Sequence, residues 1–139
     1  MLPESHRISA VNLNSPNNYP AANNTAFDGF AINSKDTKKL SKKKSLKFKI
    51  IKTLAAGDNP NIKKVPKFSA IEVMTGAIIK KPFDTIIPVE QAQFFLNQTK
   101  PKYLIINKKV KKNNFIRFSG SDFKKSEAVI KKGEIINSQ

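Results

Sequence analysis

LKFKIIKTLAAG, residues 46–57, is the stretch that decides the fold class. Leu46, Phe48 and Ile50 alternate with Lys47 and Lys49, so apolar side chains fall on one face and ammonium groups on the other. A two-residue period belongs to a half-buried strand, whereas a helix repeats every 3.6 residues. The GDNP that follows, Gly57–Pro60, ends the strand with turn residues. The same grammar extends outward in both directions. RISAVNL (7–13) reads as a strand stopped by NSPNNYP (14–20), and Phe27–Ile32 as a second. SAIEVMTGAII (69–79) is a strand broken at Thr75–Gly76, and FDTIIPVEQ (83–91) a buried one whose Pro88 predicts an edge position. In KYLIINKKVKKN (102–113) the polar Asn107–Lys109 predicts a hairpin corner. FIRFSGSD (115–122) reads as a strand entering a glycine turn, and EAVIKKGEII (127–136) as a last short strand plus turn. SKDTKKLSKKKS (34–45) has few apolar anchors and reads as a solvated loop. Helical periodicity is nearly absent and no internal repeat stands out. The expected fold is mostly β, a twisted β-rich lobe with flanking strands and few or short helices.

With 139 residues the chain can form one ordinary domain or two small lobes. Hydrophobic residues make up 39%, including 10 Phe, which argues for a packed chain over a disordered one. Cysteine is absent, excluding disulfides and thiolate metal sites. MLPESHRISA lacks a basic segment followed by an apolar run, and no apolar stretch approaches membrane-spanning length. A soluble cytoplasmic protein without a membrane partner is therefore expected. The net charge of +16 raises the question of a polyanion. Yet all but two of the 26 basic residues are lysine, the exceptions being Arg7 and Arg117. Arginine is the better group for bidentate phosphate and guanine contacts. The chain is also rich in Asn and Ile, which share A/T-rich codons with Lys. Coding composition thus accounts for much of the charge, and nucleic acid ranks behind other partners.

His6 is the only histidine, so Ser–His and His–metal chemistry have almost no material. No phosphate-binding glycine loop occurs. Carboxylates remain. Asp28, Asp84, Glu90 and Asp122 each fall near a strand end, where a scaffold presents functional groups. Each could equally cap a turn through its own backbone hydrogen bonds. Asp28 is the least expected of them. In NNTAFDGFAI (23–32), Asp28–Gly29 sits among Phe27, Phe30 and Ile32, where a strand needs packing surface. Either this is a solvated turn, or the carboxylate is held there for a purpose.

NNTAFDGFAI resembles the N-S-A-M-D-G-Y-A-V signature of the molybdopterin molybdenumtransferases, the bacterial MoeA family whose animal counterpart is the E domain of gephyrin. Upstream, RISAVNLNSPNNYPAANN is similar to that family's strand, Ser-Pro turn and Pro-containing loop. LAAGDNP (54–60) is similar to its Ala-Gly turn, and IEVMTGAIIKKPFDTIIPVEQ (71–91) to its M-T-G-A-P segment with the following strand. FIRFSGSDFKKSEAVIKKG (115–133) resembles N-I-R-x-x-G-x-D-I-x-x-G and a later Lys-Gly turn. The blocks come in the family's order and cover nearly the whole chain. The sequence departs from the pattern at Ile78, Phe115, Ser121 and Ser126, which stand where the family has Pro, Asn, an acid and Gly.

The resemblance implies molybdenum cofactor biosynthesis, with molybdate inserted into adenylylated molybdopterin and AMP released. It implies catalytic roles for Asp28, Thr75 and Asp122, and substrate-binding roles for Thr25, Gly29, Gly76, Arg117 and Gly120. Thr75 and Gly76 would offer donors to an oxyanion, Arg117 a fork of donors to the same anion, and Gly29 freedom for the backbone to turn. It implies a partial N-terminal and linker region, with flanking strands at about 1–26 and 123–139 around a β-rich lobe at about 27–122. The pterin-binding α/β domain and a C-terminal β domain would be absent, and Mg2+ would be a cofactor whose ligands lie there. Such a chain would be inactive alone, working as a homodimer or with a separate pterin-binding chain. The other readings are a Lys-rich β domain binding RNA or another polyanion, and a non-functional relic of the enzyme.

Overall fold

The computed structural model describes residues 7–40, 44–95 and 102–136. In chain order the strands are β1 (Arg7–Ile8), β2 (Leu13–Asn14), β3 (Asn24–Thr25), β4 (Gly29–Ile32), β5 (Leu46–Leu54) and β6 (Ser69–Val73). They continue as β7 (Thr85–Pro88), β8 (Gln93–Phe95), β9 (Tyr103–Ile106), β10 (Ile116–Arg117), β11 (Ala128–Ile130) and β12 (Ile135–Ile136). The fold is mostly β, and among the described residues no helix reaches seven residues. The chain divides into two units: Asn23–Arg117, and Met1–Ala22 with Phe118–Gln139.

The unit Asn23–Arg117 is built on a six-stranded sheet of order β7-β4-β6-β5-β9-β8. Only β5 and β6 run parallel; the other neighbours are antiparallel. All four residues of β4 are buried. Successive side chains of a strand leave by opposite faces. Phe30 and Ile32 therefore join one core cluster with Phe48, Ala70, Ile87 and Leu104. Ala31 joins a second with Leu54, Ile71, Val73, Ile86 and Phe83. A core on each face explains why GFAI lacks the alternation of polar and apolar residues that a one-sided strand shows.

β5 serves both clusters through one irregularity. Its register against β6 shifts between Ile50 and Lys52. One extra residue turns the rest of a strand over. Leu46, Phe48 and Ile50 therefore pack on the first cluster, and Ile51 and Leu54 on the second. Pro88 lies on the edge strand β7, as its sequence predicts. That edge is protected: the Ile86 N–H donates to the Asn114 carbonyl at 3.0 Å, and proline has no N–H to expose.

Three expectations are corrected. Ser34–Thr37 is a 3-10 turn with Ser34 and Thr37 buried, and Leu40 is buried beyond it. The Ser34 N–H and hydroxyl donate to the Asp84 carboxylate at 2.7 and 3.0 Å. Thr37 Oγ1 donates to the Ser34 carbonyl at 2.8 Å and accepts from the Val110 N–H at 3.1 Å. A polar segment enters the interior because its polar atoms are satisfied there, which hydropathy does not register. Residues 41–43 of that expected loop lie outside the described residues. Asn107–Lys109 is not a hairpin corner, because β9 pairs with the preceding β8 and the distant β5. The strand expected from Phe115 up to its glycine turn shrinks to β10, since Phe115 at φ +56° leaves extended geometry, while Gly120 at φ +73° makes the expected turn.

The other unit holds β1 paired with β12 and β2 paired with β11. It contains the internal repeat that the sequence reading missed. Ser9 and Ser15 are both buried, and their hydroxyls donate to the carbonyls of Val11 and Asn17 at 2.6 Å. Their N–H groups donate to Glu134 and Glu127. Lys125 and Lys132 donate their N–H groups to the Oδ1 atoms of Asn18 and Asn12. Two S-x-x-N segments, 9–12 and 15–18, thus meet two K-K-x-E turns, 131–134 and 124–127. The halves of each pair are over a hundred residues apart, so the repeat shows only once the strands are paired. Gly133, at φ +88°, has Ser126 as its counterpart at φ +69°. Both donate to a serine carbonyl of the matching segment.

Gly29 needs its missing side chain for another reason than turn freedom. A Cβ there would overlap the Ile87 carbonyl oxygen and come within 2.9 Å of Pro88 Cα. Gly29→Ala is expected to destabilise the protein by about 2 kcal/mol, the range of overpacked cores. Ser126→Gly should stabilise by roughly 0.5 kcal/mol, since relieving a left-handed Cβ outweighs the added chain entropy. Urea unfolding of both variants checks the pair.

Candidate functional site

The site grows from the turn that feeds β4. Buried Thr25 donates its hydroxyl to the Phe27 carbonyl at 2.5 Å and accepts from the Phe27 N–H at 3.1 Å. This closes the turn on itself, as serine and threonine do in tight loops. The Thr25 N–H donates to the Ala77 carbonyl at 3.1 Å, and the Gly76 N–H donates back to the Thr25 carbonyl at 2.9 Å. The TAFDG turn is thereby tied to the MTGA turn after β6. That second turn is closed by Ala77 N–H donating to the Met74 carbonyl at 2.9 Å, with Gly76 at φ +86° in its third position. This left-handed slot is the one that favours glycine. The Ala-Gly turn after β5 packs here too, since a Cβ on Gly76 would lie 3.2 Å from Ala56 Cβ.

The two turns put Asp28 against Thr75. Asp28 Oδ1 accepts from the Thr75 N–H at 2.6 Å and from the Thr75 hydroxyl at 2.8 Å. Both bonds use Oδ1, so neither occupies Oδ2. The Asp28 carbonyl accepts from the Val89 N–H at 3.0 Å, fixing the residue from the β7 side. Asp28 and Thr75 are both exposed. The backbone N–H of Thr75 and then its hydroxyl hold the Asp28 carboxyl below its ordinary 3.8, against the opposing push of desolvation. Beside the acid, Phe27 packs edge-on against Phe115, ring centres 5.3 Å apart and planes at 84°. Both rings remain partly exposed and give the site an apolar wall.

The structure therefore brings Thr25, Asp28, Gly29, Thr75 and Gly76 together in one unit. Exposed Arg117 sits on β10, opposite Asn24 in the pairing with β3. Gly120 and Asp122 belong to the other unit, where they donate their N–H groups to the carbonyls of Pro20 and Tyr19. The Ser121 hydroxyl donates to Asp122 Oδ1 at 3.2 Å. His6 lies outside the described residues.

The expected oxyanion cradle at Thr75–Gly76 is corrected. Both Thr75 donors are spent on Asp28 and the Gly76 N–H on Thr25, so this turn holds the acid and leaves no donor for an anion. Thr25 is likewise a closing residue of the turn, its hydroxyl consumed by Phe27. The Phe27–Phe115 wall was not foreseen. Its only sequence signal is a bulky residue where the resembled family has Asn, a residue that tolerates the left-handed backbone found there. Asp84, another of the acids flagged at strand ends, is occupied by Ser34.

The model of the MoeA N-terminal region, domains I and II, matches residues 2–139. The chain belongs to this family. It is 33% identical over 128 residues to the molybdopterin molybdenumtransferase of Haemophilus influenzae, covering 92% of this chain and 29% of the relative. With that of Bacillus subtilis it shares 27% over 128 residues, covering 92% and 29%. Among solved structures, the molybdopterin biosynthesis MoeA protein of Pyrococcus horikoshii matches at TM-score 0.84 and 27% identity, over 98% of this chain and 34% of that one. The chain thus spans about a third of the length of the relatives it matches.

Asp28 is expected to titrate below 3.8 in the folded protein, read by carboxyl 13C shifts. Because the folded value is depressed, its contribution to stability is complete above the unfolded value. It disappears as pH falls through the folded one. Thr75→Ala should move the midpoint up only part of the way, since the N–H bond survives. An unmoved midpoint would mean the hydroxyl does not hold the acid.

Proposed function

We propose that this chain supplies the Asp28 side of a molybdopterin molybdenumtransferase, in which molybdate enters adenylylated molybdopterin and AMP is released. The observation that best supports this reading is the Asp28–Thr75 clamp at the mouth of β4 and β6, in a chain belonging to the MoeA N-terminal family. A carboxyl whose pKa is held low is a poor proton shuttle near neutral pH, where general acid–base groups need values close to the working pH. Asp28 therefore acts as a fixed, ionised acceptor. Oδ1 is anchored by Thr75, and Oδ2 accepts from an N–H or O–H group of the pterin-bearing substrate. Thr75 is a positioning residue. Arg117, on β10 of the same unit, carries the planar guanidinium suited to an oxyanion.

Molybdate is itself an anion, so the ionised Asp28 is placed to orient the organic substrate, not the metal oxyanion. Among the described residues no three His, Cys, Asp or Glu side chains gather. The Mg2+ expected from the resemblance is thus not fitted by these residues, and no step here runs through it. Activity needs the regions that make up the remaining two-thirds of the relatives, on this or another polypeptide, as a homodimer or with a separate pterin-binding chain. No described helix is long and apolar enough to cross a membrane.

The test mixes this chain with a separately produced pterin-binding region, adenylylated molybdopterin and molybdate, and follows AMP. The chain by itself should release none. The mixture should, and Asp28→Asn should lower the rate roughly 100-fold, the scale of a mispositioned substrate. Failure with a folded, tightly associated partner, or an undiminished Asp28→Asn rate, would overturn the reading.

A further inference from the structure

The β4–β6 pair carries a carboxylate clamp at each end. Asp28 precedes β4 and meets Thr75, just after β6; Asp36 follows β4 and meets Phe68, just before β6. At about 3.3 Å per residue, four-residue β4 separates the ends by roughly 13 Å. At the far end Asp36 Oδ2 accepts from the Phe68 N–H at 3.0 Å, and the Phe68 carbonyl accepts from the Lys49 N–H at 2.8 Å. These bonds hold Phe68 at φ +56°, a left-handed conformation rare for a bulky residue. Such outliers persist where surrounding structure enforces them, often at sites of function. The ring stands edge-on to core Phe48 at 5.7 Å, yet Phe68 stays 40% exposed.

Phe68, Leu40 and Leu46 floor a hollow of about 460 Å3. Its rim carries exposed Lys35, Lys38, Lys39, Lys44 and Lys67, and its one carboxylate, Asp36, is bonded to the Phe68 N–H. A second hollow of about 350 Å3 shares Lys35, Asp36 and Lys67 with it and adds Val65, Pro66 and Phe83. The two adjoin at Lys35, Asp36 and Lys67, and the first forms a groove with an apolar floor under a lysine rim.

We infer that this groove docks an extended acidic segment of a partner protein, with an apolar side chain seated on Leu40, Leu46 and Phe68 between carboxylates facing the lysines. Charge complementarity is the leading argument, since the rim is basic throughout apart from the occupied Asp36. The competing polyanions fit less well. Single-stranded nucleic acid is held by successive stacked bases and often by arginine, and here there is one exposed ring and no arginine. A membrane surface is met by several protruding apolar residues, whereas here only Phe68 is exposed, Leu40 being buried and Leu46 half-buried. The groove is separate from the Asp28 site and does not depend on the transferase reading.

The probe is a fluorescent peptide with one central Leu flanked by Asp and Glu, titrated with the full chain and read by anisotropy. Binding should weaken about tenfold or more when Lys35→Glu and Lys67→Glu are combined, exposed changes that thermal melting should show to be folded. It should weaken about tenfold when the peptide's Leu is Ala, the worth of one buried side chain. Asp28→Asn should leave it unchanged. Equal binding by the double lysine variant, or tighter binding of a uridine oligonucleotide or anionic vesicles that displace the peptide, would overturn the proposal.

Discussion

The approach of β7 to β4 at Gly29 is the constraint from which the candidate site follows. No side chain fits between Gly29 and the Ile87–Pro88 backbone, so the two strands close down to the first residue of β4. Asp28 is then the first residue free to leave the sheet, and the Val89 N–H grips its carbonyl as it does. On the other side, antiparallel pairing carries β6 from Ala70 opposite Ile32 to Val73 opposite Gly29. Thr75 emerges beside Asp28 as a consequence. The two cores that bury β4 on both faces fix this register, because a one-residue slip would exchange Ala31 with Phe30 and Ile32 between them.

The chemistry is set by where the donors go. A turn with a threonine, a glycine and open N–H groups looks like an anion cradle, and in isolation it would be one. Here the neighbouring turn claims each donor. Asp28 becomes anchored through one oxygen with its carboxyl held below the ordinary value, and in the proposed function it orients a ligand without exchanging protons with it. Phe27 and Phe115 add an apolar wall that a planar heterocycle could contact. The same sheet end thus combines a directional acceptor with an exposed hydrophobic surface.

What the residues disclosed and what they hid follow from range. The alternation of Leu46, Phe48 and Ile50 disclosed a strand because it is local, while the bulge that reverses its face is not. Pro88 marked an edge because a missing N–H is a property of one residue. The Asp-Gly pair marked the site, but the reason for its glycine lay in β7, more than fifty residues on. Ser34 and Thr37 seemed soluble because the partners that let them be buried, Asp84 and Val110, lie 50 and 73 residues away. The serine and lysine–glutamate repeat was hidden for the same cause, being split between the two ends of the chain. Local periodicity and backbone chemistry were legible; the satisfaction of polar groups by distant partners was not.

The pH profile of AMP release by this chain mixed with a pterin-binding region, with and without Asp28→Asn, tests the proposal that Asp28 is a fixed ionised acceptor. If so, the substitution lowers the profile without changing its form between about pH 5 and 8, since the acid is charged throughout that range. A limb with a midpoint inside that window, present with Asp28 and lost with Asn, would show Asp28 exchanging protons during the reaction and would contradict the account.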